Sequence, residues 1–453
     1  MEKPIILFFI SVRKNKKIEK KIEEAIETSS FFDNLCSLIN KIIMGKDTNY
    51  FGQPVFQQAT KLIKKTDVVS IAQEFKADRY TKKLDTYNQL MIMLFGVFKA
   101  FDGLRELILG AEAEKVRLYR MGIKVPARST LADANKNRSA DVFKAIYFKM
   151  YEKLRPLLSD SSRNEWEKKL TIIDSTTITL FTDILKGAGR KPKLGKKKGG
   201  IKVHTQIRYA EWTPSLIKYT SAATHDSNFL EDIALEPSDI LVMDRAYIDY
   251  AFMESLTKKG VCYVTKMKKS LRYKTLESEY VVSQDGKVEA KISKIILRKV
   301  GKNEKVEVEH NARLVEYWTI DKYGKKKYAR LVTNDLESDF HKIIDIYDHR
   351  WQIELLFKQL KQNFQLRYFY GDSVNAIETQ IWVTLIANLL MTVVQKQLKN
   401  RYPNRQFCFS NIICLTRNML MYYIDMYKLI YNPEKEWNAV NRKLFDTQLK
   451  IQF

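Results

Sequence analysis

The apolar positions of this chain change their period three times. From residue 53 to about 158 they recur at helical spacing. The densest run is QLMIMLFGVFKAF, with Leu90, Met91, Met93 and Leu94 inside it, and FDGLRELILGAEAEKVRL continues it. ARSTLADANKNRSADVFKAIYFKMYEKLRPLL predicts two further helices, with Ser129 and Ser139 available as caps. Arg128, Lys136 and Arg138 flank the break between them, so this pair reads either as a small DNA-binding unit or as plain helical packing.

Near residue 168 the pattern becomes β-branched and short-period. KKLTIIDSTTITLF, KVHTQIRYA and PSLIKYTSA predict three strands. SNFLEDIAL predicts a short helix and DILVMD a fourth strand ending in a carboxylate. YIDYAFMESLTKKG predicts a helix closed by Gly260, and VCYVTKM a fifth strand. Residues 268–337 alternate between strand patterns (VEAKISKIILRKV, EKVEVEH, ARLVEYWTIDKYG, KKYARLVTN) and turn signals, which predicts an antiparallel insertion. Helical periodicity returns at 338–362, 374–398 and 409–425, and the basic, aromatic tail from 426 is hard to assign.

The 453 residues exceed what one core usually holds, so two or three folded units are expected. The divisions read from the pattern are a basic extension of unclear role (1–50), a helical region (51–162), an α/β core (163–267 and 338–373), a β-rich insertion (268–337) and C-terminal helices (374–453). Hydrophobic residues make up 45%, which argues against a mainly disordered chain. The net charge of +25 points to a polyanionic partner, nucleic acid or an acidic membrane. PIILFFIS at 4–11 lacks the flanks of a signal peptide, and IWVTLIANLLMTVV at 381–394 is too short to span a bilayer, so no membrane role is expected. Cys36, Cys262, Cys408 and Cys414 form no CxxC, so neither a disulfide framework nor a zinc site is expected, and the compartment reads as reducing.

Three acids carry the candidate chemistry. Asp174 interrupts the first strand and Asp244 ends the fourth; with those two strands side by side the carboxylates meet. Adjacent buried carboxylates are costly unless a cation compensates them, and Mg2+ suits oxygen ligands. In YDHRWQIELLFKQLK, Tyr347, Arg350, Glu354, Lys358 and Lys361 share one helix face, and Trp351, Leu355 and Leu360 are positioned to pack it down. Glu354 completes a three-acid set. Arg350 and the lysines then face the same polyanion, Arg as a two-donor fork and Lys as a point charge. Two divalent ions about 3.5–4 Å apart support in-line phosphodiester chemistry without a covalent intermediate. The competing reading of that helix is an ordinary salt-bridged surface, with Glu354 paired to Arg350 and Lys358.

These segments resemble the bacterial insertion-sequence DDE transposases of the IS4 type. The matching segments are TIIDSTTI around Asp174, LVMDRAYID around Asp244, and the spaced Tyr347, Arg350, Glu354 and Lys361; GGIKVHTQIRY, with Lys202 and His204, is similar too. The resemblance spans about residues 53–400. It implies an α/β ribonuclease H-like core, a mixed five-stranded sheet with helices. A β-rich insertion interrupts that core, an all-helical region precedes it and helices follow it. It implies that Asp174, Asp244 and Glu354 hold two Mg2+ ions, for which Mn2+ can substitute. It also implies that Tyr347, Arg350 and Lys361 contact the transposon end. Relatives cut through a DNA hairpin and set an insertion tryptophan against a flipped base; Trp318 is the candidate here, with a cross-strand core aromatic as the alternative.

Further DNA contacts are expected from a loop rich in lysine and glycine: Arg190, Lys191, Lys193, Lys196, Lys197 and Lys198, with Lys202 after it. That loop has no Walker pattern, so ATP is not expected. His204 reads equally as a substrate contact or a core histidine. The expected function is Mg-dependent transposition: binding of terminal inverted repeats, cleavage, and joining of 3′-OH ends to target DNA. The expected partners are double-stranded end and target DNA and a second copy in a homodimer, in a bacterial cytoplasm at the nucleoid. A nuclease without strand transfer and a silent DNA-binding protein derived from a mobile element are the alternatives. A glycoside hydrolase is disfavoured by the basic charge.

Overall fold

Among the described residues, helical periodicity before the sheet becomes eight helices. They are α1 (Val55–Ala59), α2 (Lys65–Glu74), α3 (Thr86–Lys99), α4 (Leu104–Ala113), α5 (Lys115–Arg120), α6 (Arg128–Asn137), α7 (Ala140–Leu158) and α8 (Glu165–Lys168). Ser139 caps α7 as expected, its hydroxyl accepting from the Asp141 amide at 3.2 Å. Ser129 instead lies inside α6, which starts one residue earlier. This computed structural model describes residues 52–79, 81–158, 163–179, 200–221, 226–268, 271–300, 306–320, 324–364, 366 and 368–439. Residues 1–50, the loop cations Arg190, Lys191, Lys193, Lys196, Lys197 and Lys198, and the end of the tail lie outside them. All elements named here belong to the unit Pro54–Phe453.

Among the described residues, nine strands form one mixed, largely antiparallel sheet, in the order β3-β2-β1-β4-β5-β9-β8-β7-β6. The five strands predicted for the core are β1 (Leu170–Thr179), β2 (Gly200–Arg208), β3 (Thr213–Ser221), β4 (Ile240–Met243) and β5 (Cys262–Lys266). β1 to β3 are antiparallel neighbours, whereas β4 and β5 run parallel to β1. The segment after β3 forms a 3-10 helix rather than an α-helix. Helix α9 (Tyr250–Lys258) links β4 to β5, capped by Asp249 and ended by Gly260 at φ +70°. This is a ribonuclease H-like core with insertions.

The insertion extends that same sheet. β6 (Tyr273–Val282), β7 (Val288–Val300), β8 (Val306–Ile320) and β9 (Lys326–Thr333) are antiparallel, and β9 pairs with β5. The patterns EKVEVEH and ARLVEYWTID, read as separate, fuse into β8, and β6 carries no clear signal because it is almost wholly exposed. A buried chain ties the insertion to the core: the Tyr263 hydroxyl lies 2.7 Å from His310 Nε2, and His310 Nδ1 lies 2.8 Å from Glu254.

Side chains alternate between the faces of a strand, so the sheet has two cores. Ile172, Val242 and Val264 face one; Ile173, Leu241, Met243 and Tyr263 face the other, where Met253 and Leu256 of α9 cover them. On the first face sit α10 (Phe340–Asp348), α11 (Trp351–Asn363) and α12 (Val374–Arg401), followed by α13 (Phe409–Asn418) and α14 (Met426–Tyr431). Helix α12 is long and apolar enough to cross a membrane, but 94% of its most apolar window is buried inside the protein. Buried polar groups pin it: Gln359 of α11 donates to Asn388 at 3.0 Å, and Gln380 accepts the Tyr370 amide.

Candidate active site

Sheet register brings the two aspartates together. The last paired residues of β1 and β4 are Ile173 and Met243, and the carboxylates stand one residue beyond each. Parallel neighbours lie about 4.8 Å apart. Ile172 and Val242 face the α11 side, so by alternation Asp174 and Asp244 face it too. Helix α11 packs there through Ile353, Leu356, Phe357 and Leu360. Trp351, expected to help, is instead 56% exposed, because the backbone tightens just before it. The 3-turn amide bonds Arg350 N to Tyr347 O (2.9 Å) and Gln352 N to His349 O (3.0 Å) separate α10 from α11. The single helix predicted over 338–362 is therefore two helices, and Tyr347 sits on the first.

Arg350 bridges two of the three acids. Its Nη1 lies 3.2 Å from Asp174 Oδ2 and its Nη2 2.6 Å from Glu354 Oε1. The Arg350–Glu354 pair expected of a plain salt-bridged helix is present, but the same guanidinium also reaches across to the sheet. Its Nε is buried and unpartnered, and its carbon lies 5.8 Å from the Tyr347 ring centre. Burial pushes Asp174 up to about 6. The Ser175 amide and Arg350 pull it down, and Asp244 and Glu354 push it further up. Asp244 accepts the Ala246 amide at 2.8 Å, capping the 3-10 turn Arg245–Tyr247. Lys361 donates to Thr176, two residues past Asp174, at 2.6 Å, and burial lowers the pKa of its amine. Lys358 is exposed on α11.

The donor set is three carboxylates, which suits Mg2+ rather than a softer metal. Burial beside two other acids leaves Asp174 in need of a cation. Among the described residues no three acidic, histidine or cysteine side chains already close on one ion position. The Arg350 guanidinium lies between Asp174 and Glu354. Asp174, Asp244 and Glu354 are thus donors of the type that suits divalent ions and lie on one face, while Arg350 is the cation that Asp174 and Glu354 contact.

Several sequence-predicted contacts land elsewhere. His204 is fully buried, stacked on Phe229, with its ring nitrogens 3.0 Å from the Tyr247 hydroxyl and 2.8 Å from Thr220; it is a core histidine, not a DNA contact. Lys202 is only 6% exposed on β2, so its amine is not offered to solvent as expected. Trp318 is exposed and packs against Tyr328 across β8–β9, ring centres 5.0 Å apart. Tyr317 and Val315 face the acid side, so alternation sends Trp318 to the opposite face of the sheet, away from the acids. Arg138 is buried too. It binds Asp78 and the carbonyls of Ala77 and Leu84, so it holds the helical region together and is not available to DNA. Sequence reasoning missed Lys266, one residue past the β4–β5 pair Met243–Thr265 and opposite Leu331 of the acid face. Strand alternation carried the signal, but only the pairing order sets Lys266 next to Asp244.

Comparison with known proteins places the chain among relatives. The family described as transposase DDE domain matches residues 165–390, and a domain of unknown function, DUF4372, matches residues 51–124. A protein named as transposase y4zB in Sinorhizobium fredii is 26% identical over 293 residues, covering 64% of this chain and 78% of its own. One named as the transposase of element IS4SA in Synechocystis is 28% identical, covering 59% and 71%. One named for element IS5377 in Geobacillus stearothermophilus is 23% identical, covering 60% and 68%. The matched segment contains the strands and the helix that carry Asp174, Asp244 and Glu354, and on that ground the chain belongs to the DDE transposase family, among relatives from insertion sequences.

Proposed function

We propose that this chain is the transposase of an insertion sequence. It binds the element's terminal inverted repeats, cleaves phosphodiester bonds and joins 3′-OH ends to target DNA. One observation carries the reading. Two aspartates on adjacent parallel strands share a face with a helix-borne glutamate, and an arginine joins one of the aspartates to that glutamate.

Asp174, Asp244 and Glu354 are the residues that would hold divalent ions, Mg2+ by preference and Mn2+ in its place. Such ions supply charge relief at the leaving oxygen and activation of water or a 3′-hydroxyl. Arg350 releases the carboxylates and turns its fork to a DNA phosphate, for which its unpartnered Nε is a spare donor. Lys361, anchored beside β1 by Thr176, and exposed Lys358 hold the strand backbone as point charges. Tyr347 packs against the arginine and limits its swing. No side chain forms a covalent bond to DNA, so one site can serve both cutting and joining.

Pairing two ends calls for two copies, and we infer a homodimer at synapsis. The relatives come from bacteria, and the inferred workplace is the bacterial cytoplasm, on the nucleoid. The test incubates protein with labelled DNA from the borders of its gene, a target plasmid and Mg2+. Label joined to the plasmid supports transposition; cleaved ends alone mark a nuclease; binding without cutting marks a silent DNA-binding protein. Asp174→Asn, Asp244→Asn and Glu354→Gln should each abolish cutting and leave binding intact. An acid whose loss leaves the rate unchanged is misassigned.

A further inference from the structure

Lys266 has no assigned role, and its surroundings are unusual. It stands at the end of β5, one residue beyond Met243–Thr265, as Asp244 stands one beyond Ile173–Met243. Asp174, Asp244 and Lys266 therefore form one row across three neighbouring parallel strands. Leu331, paired with Lys266, belongs to the core on the acid side, so the amine projects from the same face as the acids. Among the described residues it has no hydrogen-bond or ion-pair partner, although it is half-buried.

Its neighbours are mostly cations. Burial lowers the pKa of its amine, and Lys327, Arg245 and Arg350 lower it further against the pull of Asp244. Lys327 and Arg245 are exposed. Like charges gathered round an unpaired ammonium are unfavourable unless an anion arrives. Lys361 and Thr176 flank the acids on the β1 side, and Lys266 flanks them on the β5 side. A strand crossing the ends of β1, β4 and β5 would meet a cation before and after the carboxylates.

Resting on the transposase reading above, we propose that Lys266 is a DNA-contacting residue of this site. It holds the phosphate on the insertion side of the scissile bond, with Lys327 and Arg245 guiding the strand to it. It makes a point-charge contact and takes no part in proton transfer. The contact tethers the strand so that the bond over Asp174 and Asp244 stays in place during the reaction.

The test measures binding of a labelled duplex, taken from the border of the gene, across a KCl series in EDTA. Each phosphate contact contributes about 0.9 to the slope of log affinity against log salt. Lys266→Gln should lower that slope by about one contact and weaken binding several-fold at low salt. Lys266→Arg should restore both. Should Lys266→Gln fail to fold, Lys266→Met retains the buried stem and takes its place. A folded Lys266→Gln or Lys266→Met protein with the wild-type slope overturns the assignment. A wild type that neither binds the duplex with salt dependence nor cuts it in Mg2+ overturns the transposase reading itself. Wild-type binding and cutting beside an unchanged variant slope removes Lys266 alone.

Discussion

In the folded protein Asp174 titrates at about 6, against 3.8 for an ordinary aspartate. Between those values the native state binds a proton that the unfolded chain does not, so stability falls as pH rises through the window. About a unit above the folded value, near pH 7, the penalty is complete and amounts to up to about 3 kcal/mol. Asp174→Asn should therefore raise the melting temperature of the metal-free protein at pH 7.5, and the gain should fade toward pH 4. Millimolar Mg2+ should stabilise the wild type and not the variant, as expected of a ligand that binds only the native site. Thermal unfolding with and without metal checks both. Cys262 offers a second residue-scale test. Burial raises its thiol to about 11, with Asp335 adding to the effect. Thiolate is the reactive form, so native Cys262 should resist iodoacetamide at pH 8 while exposed Cys408 and Cys414 react. Mass spectrometry of the labelled protein reads the outcome.

Helices and strands in this protein are placed by a few buried polar ties as much as by apolar stripes. Arg138 is the clearest case. From the break between α6 and α7 it binds Asp78, Gln89 and the carbonyls of Ala77 and Leu84, so it shapes the loop between α2 and α3. Removing it leaves buried acceptors without a donor. Arg138→Met should cost about 2–4 kcal/mol in urea unfolding, although the substitution adds apolar surface. The junction of α10 and α11 works differently. A short tightened turn there sets Arg350 and Glu354 over the sheet and leaves Tyr347 on the preceding helix.

The continuous nine-stranded sheet makes the insertion part of the core at the scale of the whole molecule. Ile295, Leu297, Ala312 and Leu314 share a cluster with Met253 of α9 and Tyr263 of β5. Excising residues 273–320 would open that cluster and turn β9 into an edge strand, which invites aggregation. The shortened protein should be insoluble or molten in circular dichroism, where a separable domain would leave the rest folded. The charge of +25 belongs to this scale as well. If about six to ten phosphates are held, affinity for the border duplex should fall by about 10³–10⁵ between 50 and 200 mM salt. A flat salt response would mean that the basic surface does not face DNA.

The five core strands, the helical regions around them and the three acids were legible in the sequence, because β-branched runs, 3.6-residue periods and a carboxylate inside an apolar strand are local signals. Asp174, Asp244 and Glu354 stood out since each interrupts a pattern that burial alone would favour. Which groups meet is a different matter, decided by strand order and face. Register set Lys266 beside Asp244, alternation turned Trp318 to the far side, and enclosure by α7 and the sheet made α12 an interior helix. Burial also withdrew His204, Lys202 and Arg138 from the surface, where composition alone would have left them. A chain can announce which side chains are chemically able; only packing and pairing determine which of them share a space.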